Sequence, residues 1–192
     1  MTIKAGFVIV MGVSGSGKTE IARRLAERTG GAWLDADDHH PLENVEYMRR
    51  GLPLNDEMRW PWLGALCIAA QDIRTESPVF MACSALKRRY RDFLRNRLAP
   101  VCFVFLEGSR DLILARLERR TGHFMPSSLL DSQLGDLEPP GPDEDPLTVS
   151  IDAPIETIVN TALAGLAVHH QGGPVTSGPT PAGKPAHQGE NK

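Results

Sequence analysis

Short apolar runs alternate with longer amphipathic stretches over most of the chain. Five runs have the length and composition of buried strands: Phe7–Met11, Ala32–Asp35, Val79–Cys83, Val101–Leu106 and Leu147–Ile151. Between them, apolar residues at helical spacing predict a first helix on Ile21, Ala22, Leu25 and Ala26, then helices over Pro41–Arg50, Asp56–Thr75, Lys87–Leu98, Ser109–Arg120, Ser127–Leu137 and Pro154–Val168. This alternation predicts an α/β fold, with a five-stranded parallel sheet covered by helices on both faces in three α/β/α layers.

The character of the sequence changes at His169. From there to Lys192 it consists mostly of Gly, Pro, Ser, Thr, His and Gln, with almost no aliphatic residues. Such a segment cannot bury enough apolar surface to offset the entropy lost on ordering. We therefore predict one domain over residues 1–168 and a disordered tail over residues 169–192.

The segment after the first predicted strand fits the phosphate-binding pattern G-x-x-x-x-G-K-[ST] at every fixed position. Its residues are Gly12, Val13, Ser14, Gly15, Ser16, Gly17, Lys18 and Thr19. Backbone amides and a helix N-terminus surround phosphate charge in such a loop. Lys18 is expected at the β- and γ-phosphates and Thr19 on Mg²⁺. The alternative is a Gly/Ser-rich turn with a chance Lys-Thr pair, and the strand before and helix after argue against it.

Composition restricts the partners and the compartment. The net charge of −3 gives no electrostatic reason to expect nucleic acid as a partner. The three cysteines lie in apolar stretches and are predicted to be reduced core residues. We recognise no signal peptide and no apolar run long enough for a membrane span. A soluble cytoplasmic protein that does not bind membranes is expected.

Acidic residues follow the second predicted strand, at the sheet edge where parallel sheets bind ligands. Asp35 and Asp37, two positions apart on an extended segment, point the same way. Asp35 is expected to hold a water on Mg²⁺, and Asp37 to orient an acceptor hydroxyl or accept its proton. Helix capping is the alternative for Asp37 and its neighbours. His40 is open between substrate contact and packing.

Basic residues supply candidate contacts to an anionic acceptor. Arg59 can pair with a substrate carboxylate through its planar guanidinium, or it can be a surface charge on a helical first turn. Lys87 and Arg91 are four residues apart and share a face of the predicted helix, so together they could grip an anionic acceptor. A solvated helix face is the alternative for this basic run.

A break at residues 122–126 is surrounded by basic side chains, namely Arg116, Arg119, Arg120 and His123. A basic segment between two helices suits a lid over about residues 119–127 that excludes water and neutralises charge on a transferred phosphoryl group. Arg120 is the expected catalytic arginine, and Arg116 is assigned to the nucleotide, with one arginine stacking on adenine. A charged surface loop is the alternative.

Several blocks of the sequence, taken together, resemble the bacterial gluconokinases, the small P-loop type related to shikimate and adenylate kinases. The blocks are Met11–Thr19, Asp35–Pro41, Glu43-Asn44 with Met48, Gly51–Asp56 with Arg59, Pro61–Leu63, Cys83–Lys87, Tyr90–Asp92, Gly122–Phe124, Leu137–Pro139 and Ile151-Asp152. The resemblance covers about residues 6–166. The Pro-rich step at residues 139–142 departs from the family's usual Pro-Gly and affects only loop geometry.

This resemblance implies a nucleoside-monophosphate-kinase-like fold and transfer of the ATP γ-phosphoryl group to the 6-hydroxyl of D-gluconate, with Mg²⁺. It implies that Lys18 and Thr19 bind the phosphates and metal, and that Asp37 binds the acceptor hydroxyl. Arg59, Lys87 and Arg91 fall where related kinases hold the acceptor, while Arg120 and His123 fall in the lid. A homodimer is also implied by the family.

Two other functions remain open from the sequence. One is a kinase for a different small carboxylated acceptor, such as shikimate or another sugar acid. The block Cys83–Lys87 argues against shikimate, because shikimate kinases have a Gly-rich run there. The other is a nucleotide-binding regulatory protein without kinase turnover.

Overall fold

The structure is a computed structural model that describes residues 6–119 and 127–169 of the 192-residue chain, with only the backbone for residues 127–129. Its strands are β1 (Phe7–Met11), β2 (Ala32–Asp35), β3 (Val79–Ala82), β4 (Val101–Glu107) and β5 (Leu147–Ser150). They form one parallel sheet in the order β2-β3-β1-β4-β5. β1 is the middle strand, with Phe7 opposite Val79 of β3 on one edge and Val101 of β4 on the other.

Helices cover both faces of this sheet. They are α1 (Lys18–Thr29), α2 (Leu42–Arg49), α3 (Asp56–Asp72), α4 (Arg88–Arg97), α5 (Arg110–Glu118), α6 (Ser127–Asp136) and α7 (Ile155–His169). Successive residues of β1 enter different cores, because side chains alternate across a strand. Val8 and Val10 pack with residues of α1 and α7, whereas Ile9 and Met11 pack with residues of α3 and α4. The predicted α/β fold with three layers and five parallel strands is confirmed.

The site lies at the carboxyl edge of this sheet. β2 and β3 both lie on one side of β1, whereas β4 and β5 lie on its other side. The strand order therefore reverses at β1. Loops that leave the strands at such a switch point form a ligand-binding crevice. The phosphate-binding loop, the Asp35–His40 segment and the Cys83–Lys87 segment all leave the sheet at this edge.

Local differences from the prediction lie in the connections. Residues Ala36–His39 form a 3₁₀ turn that the apolar pattern did not indicate. Lys87 does not belong to α4: it is the N-cap residue, with an extended backbone at φ −91° and ψ 144°. The prediction that Lys87 and Arg91 share a helical face is therefore wrong.

The cysteine prediction is confirmed for the described residues. Cys67, Cys83 and Cys102 are free thiols in the core or at its border. Burial raises their pKa values to about 11, 12 and 11, so the thiols stay protonated at neutral pH.

Parts of the predicted organisation lie outside the described residues. These include Arg120 and His123 of the predicted lid and the predicted tail beyond His169, the last residue of α7. In the described part of the chain, no helix combines the length and apolarity that crossing a bilayer requires.

Candidate active site

The phosphate-binding loop is tightly packed between β1 and α1. Gly15 has φ +85°, and a Cβ there would stand 2.8 Å from the Leu117 side chain of α5, so the close approach requires glycine. Gly17 adopts the left-handed conformation at the start of α1. Because no side chain caps α1, its first amides remain available at the loop. Loop and helix together form a site suited to an anion.

Two side chains of the loop are placed for phosphate and metal chemistry. Lys18 lines the cleft beside the loop, and its Nζ donates to the carbonyl of Val13 at 3.1 Å. The hydroxyl of Thr19 donates to Oδ2 of Asp35 at 2.6 Å. Strand β2 thus brings a carboxylate onto the hydroxyl of the loop, as the sequence predicted from the sheet edge.

The two carboxylates of the acidic segment, Asp35 and Asp37, have different surroundings. Asp35 Oδ1 accepts from the backbone amide of Asp37 at 3.0 Å and so caps the 3₁₀ turn. The Asp37 side chain is 72 % exposed and lines the same cleft as Lys18. Helix α2 begins after Pro41 without a side-chain cap, so the capping alternative fits Asp35 and not Asp37.

His40 forms part of the cleft wall. Its ring stacks on Trp62 with a centroid distance of 4.1 Å, and the indole Nε1 of Trp62 donates to the carbonyl of Ala36 at 2.7 Å. Burial, and then the charge of Arg59, lower the pKa of His40 to about 4 against a smaller opposing effect of Asp35. His40 is therefore neutral at physiological pH and contributes a packed, uncharged surface.

Arg59 and Lys87 converge on one carboxylate that the sequence reasoning missed. Asp136, the last residue of α6, has Oδ2 at 3.5 Å from Arg59 Nη2 and Oδ1 at 3.0 Å from Lys87 Nζ. On the other side, Lys87 Nζ lies 3.7 Å from Oδ1 of Asp56. The hydroxyl of Tyr90 donates to the same Oδ1 at 2.5 Å. Burial, reinforced by this hydrogen bond, raises the pKa of Tyr90 to about 12.

Several of the residues described above line one open cleft. The cleft is lined by Ser14, Lys18, Asp37, His40, Met48, Leu52, Pro53, Leu54, Arg59, Trp62, Ser84, Ser132 and Gln133. The lining combines residues of the phosphate-binding loop with Arg59 of α3. The structure therefore brings Lys18, Asp37 and Arg59 to one place and puts His40, whose role the sequence left open, in the same lining.

Arg91 does not reach this cleft, which corrects its predicted role as an acceptor contact. Its side chain is 1 % exposed, and both Nε and Nη2 donate to the carboxylate of Glu144 at 2.7 Å. Nη1 donates to the carbonyls of Ala85 and Leu86 at 3.2 and 2.9 Å. Ala85 is a non-glycine residue at φ +44°. Arg91 thus fixes the loop after β3, and its buried side chain does not line the cleft.

Arg116 of α5 and Gln133 of α6 each make a hydrogen bond to the backbone of another segment. Arg116 Nη2 donates to the carbonyl of Ile151, just after β5, at 2.6 Å. The side-chain oxygen of Gln133 on α6 accepts from the backbone amide of Ser14 in the phosphate-binding loop at 2.7 Å. Gln133 carries no motif, and only the fold reveals its contact with the loop.

Among the described residues, no group of three or more His, Cys, Asp or Glu side chains is arranged as a metal site. Mg²⁺ usually keeps several waters and is bound by only one or two carboxylates of a protein. Thr19 and Asp35 supply the hydroxyl and carboxylate oxygens that this ion prefers.

The chain is similar to known proteins over most of its length. A family profile described as an AAA domain matches residues 7–140. The chain is 45 % identical over 157 residues to the thermoresistant gluconokinase of Escherichia coli (strain K12), covering 81 % of this chain and 90 % of that protein. It is 47 % identical over 152 residues to the gluconokinase of Gluconobacter oxydans (strain 621H), covering 78 % and 85 %. A solved gluconokinase structure from Sinorhizobium meliloti 1021 matches with a TM-score of 0.80 at 44 % identity, covering 89 % of this chain and 96 % of that one.

Proposed function

The chain belongs to the gluconokinase family of P-loop kinases, and we propose that it transfers the γ-phosphoryl group of ATP to the 6-hydroxyl of D-gluconate. The products are ADP and 6-phospho-D-gluconate. One observation carries the proposal: Lys18, Asp37 and Arg59 line the same cleft. A phosphate-binding group, an acceptor carboxylate and a cation for a sugar acid therefore lie in one continuous site.

The donor half binds the triphosphate. The loop amides and the N-terminus of α1 surround the phosphate oxygens, and the Lys18 ammonium neutralises the β- and γ-phosphate oxygens. In the reaction, the gluconate O6 forms a bond to the γ-phosphorus while the bond from that phosphorus to the bridging oxygen of ADP breaks. Arg116, beside the end of β5, is proposed to flank the adenine.

The acceptor half positions the hydroxyl. Asp37 is exposed to the cleft and is proposed to orient the 6-hydroxyl and to accept its proton. Its neighbour Asp35 keeps the Asp37 amide fixed by the 3.0 Å hydrogen bond. The neutral His40 and Trp62 form an uncharged wall beside the polyol chain, while Arg59 and Lys87 take the carboxylate at its far end.

The residues present fit a magnesium ion. Thr19 would coordinate it directly and Asp35 through a water, since their oxygens already meet at 2.6 Å. When bound, the ion neutralises charge on the β- and γ-phosphate oxygens.

Other parts of the proposal rest on the family resemblance. Segment 119–127 is proposed as the lid, with Arg120 neutralising the transferred phosphoryl group and His123 approaching the acceptor. We also propose a cytoplasmic homodimer that acts without nucleic acid or membrane partners. Light scattering of the full chain tests the dimer.

A coupled assay of ADP release over a panel of sugar acids tests the activity. Gluconate should support turnover, whereas shikimate and the other acids should not. Lys18→Met should reduce gluconate-dependent turnover strongly, because the charge on the phosphates is no longer neutralised. Arg28→Met, a change on the exposed side of the same helix, is the control and should keep wild-type turnover. Wild-type turnover in Lys18→Met would refute the assignment.

The two alternatives predict different outcomes of the same assay. A kinase for another carboxylated acceptor would release ADP with that acid and not with gluconate. A regulatory nucleotide-binding protein would bind ATP, measured by calorimetry, but release no ADP in response to any acceptor.

A further inference from the structure

Helix α6 ends on a residue whose charge opposes the helix dipole. Carboxylates are normally unfavourable at a helix C-terminus, where the backbone already carries partial negative charge. Asp136 is nevertheless the last residue of α6, and its side chain is only 27 % exposed. Its placement therefore has to be explained by the two cations that it contacts.

The contacts of Asp136 are those expected of a bound carboxylate ligand. One oxygen faces Arg59 at 3.5 Å and the other faces Lys87 at 3.0 Å. The side chains of Arg59 and Lys87 are 12 % and 19 % exposed, so both are largely shielded from water. Shielded cations without a counter-charge are costly, and Asp136 supplies one from within the chain.

We propose that Asp136 is the resident counter-ion of the acceptor-carboxylate site, which the carboxylate of the acceptor replaces on binding. The proposal rests on the proposed function, in which Arg59 and Lys87 take the carboxylate of gluconate. Both carboxylates need the same donors, so the acceptor binds by exchange. Asp136 is thus a positioning residue that sets the affinity for the acceptor without touching the reacting atoms.

Exchange has two effects on the site. Small anions gain little binding free energy, because a bare carboxylate such as acetate only replaces the ion pairs that Asp136 already makes. Gluconate adds contacts of its hydroxyl groups, and these make its binding favourable. After the reaction, the returning Asp136 competes with the product carboxylate and promotes its release.

The other groups facing these cations do not replace Asp136. Asp56 lies 3.7 Å from Lys87, but it also contacts Arg89 and accepts from the Tyr90 hydroxyl. The Tyr90 hydroxyl accepts from Arg59 Nη1 at 3.3 Å and carries no charge. Of the described carboxylates, Asp136 is the one that bridges Arg59 and Lys87.

Asp136→Asn is the test, with Asp131→Asn as the matched control on the same helix. Asp131 is 60 % exposed and pairs with Arg110. In Asp136→Asn, the Kd and KM for gluconate should fall on the order of tenfold, since the competing charged hydrogen bonds are gone. The KM for ATP should not change. Isothermal titration calorimetry with gluconate reports binding without turnover.

A second probe is acetate at millimolar concentration. It should compete with gluconate in Asp136→Asn and not in the wild-type protein or in Asp131→Asn. Asp136→Ala should shift gluconate affinity in the same direction, and urea unfolding checks that each variant is folded. A higher Kd for gluconate in both folded variants would mean that Asp136 holds the cations in place, and an unchanged Kd would mean that no exchange occurs. Either result overturns the proposal. Absence of gluconate-dependent ADP release in the wild-type protein would instead refute the proposed function.

Discussion

Replacing Glu144 with glutamine tests the buried ion pair that fixes the loop after β3. The Glu144 and Arg91 side chains are 2 % and 1 % exposed and share two hydrogen bonds of 2.7 Å. Glutamine keeps the shape of the side chain but removes its charge, and the Arg91 guanidinium is then buried without a counter-charge. Breaking such a pair from one side costs about 3–5 kcal/mol.

That cost is large compared with a typical unfolding free energy of about 5–15 kcal/mol. For a domain of this size, each kcal/mol shifts the melting temperature by roughly 2–4 °C, so we expect Glu144→Gln to melt about 6–20 °C below the wild-type protein. Urea unfolding followed by circular dichroism gives the free energy directly. Asp131→Asn, which breaks an exposed pair, should leave the midpoint unchanged.

The double variant Arg91→Met/Glu144→Leu separates ion pairing from packing. Replacing both partners by apolar residues removes the uncompensated charge, so its stability should recover relative to Glu144→Gln. A wild-type unfolding midpoint in Glu144→Gln would refute the reasoning, because it would show that the buried arginine does not need this counter-charge.

The pH dependence of the same pair has a definite sign. Burial raises the pKa of Glu144, but the hydrogen bonds and charge of Arg91, with smaller effects of Gly141 and Arg95, outweigh it and hold the pKa below its ordinary value of 4.5. A carboxyl with a depressed folded-state pKa stabilises the fold above its unfolded pKa and loses this contribution in acid. The wild-type protein should therefore lose more stability below pH 4.5 than Glu144→Gln does.

Two further predictions concern the cleft. Asp37→Asn should lower kcat by about 10²–10⁴-fold with an unchanged Kd for ATP, whereas Asp38→Asn should keep near wild-type kcat; equal activity of both variants would contradict the role of Asp37. His40, whose pKa burial and then Arg59 lower from 6.5 to about 4, should make the protein less stable as the pH falls from 6.5 towards 4, because the unfolded chain then binds a proton that the folded chain does not. Urea midpoints at pH 7 and pH 5 should differ more for the wild-type protein than for His40→Asn, and equal differences would count against a neutral buried His40.

Features encoded locally were predictable from the sequence. An apolar run predicts the strand Phe7–Met11, and the fixed glycines after it predict the phosphate-binding loop. The structure has the same strand bounds. The sheet edge then placed Asp35 near Thr19 from topology alone, and their oxygens meet at 2.6 Å. In both cases the information lies within a few residues or in a rule about parallel strands.

Features that depend on partners distant in the chain were not predictable. Arg91 belonged to a basic run, and nothing near it showed that Glu144 would neutralise it. The assumed helical face failed because α4 begins one residue after Lys87. One feature of the sequence could have indicated Asp136. It is an acidic residue near the end of a predicted helix, where the helix dipole disfavours a carboxylate.

Ribosomal synthesis delivers β1 and the phosphate-binding loop well before the strands that hold them. Phe7 of β1 pairs with Val79 and Val101, and both positions are translated much later. Contacts across such separations form slowly, because a long segment has to be ordered before they close. A nascent chain that ends before β4 therefore leaves one edge of β1 unpaired and its loop without a rigid support. The ability to capture a triphosphate should consequently arise only after β4 has been synthesised.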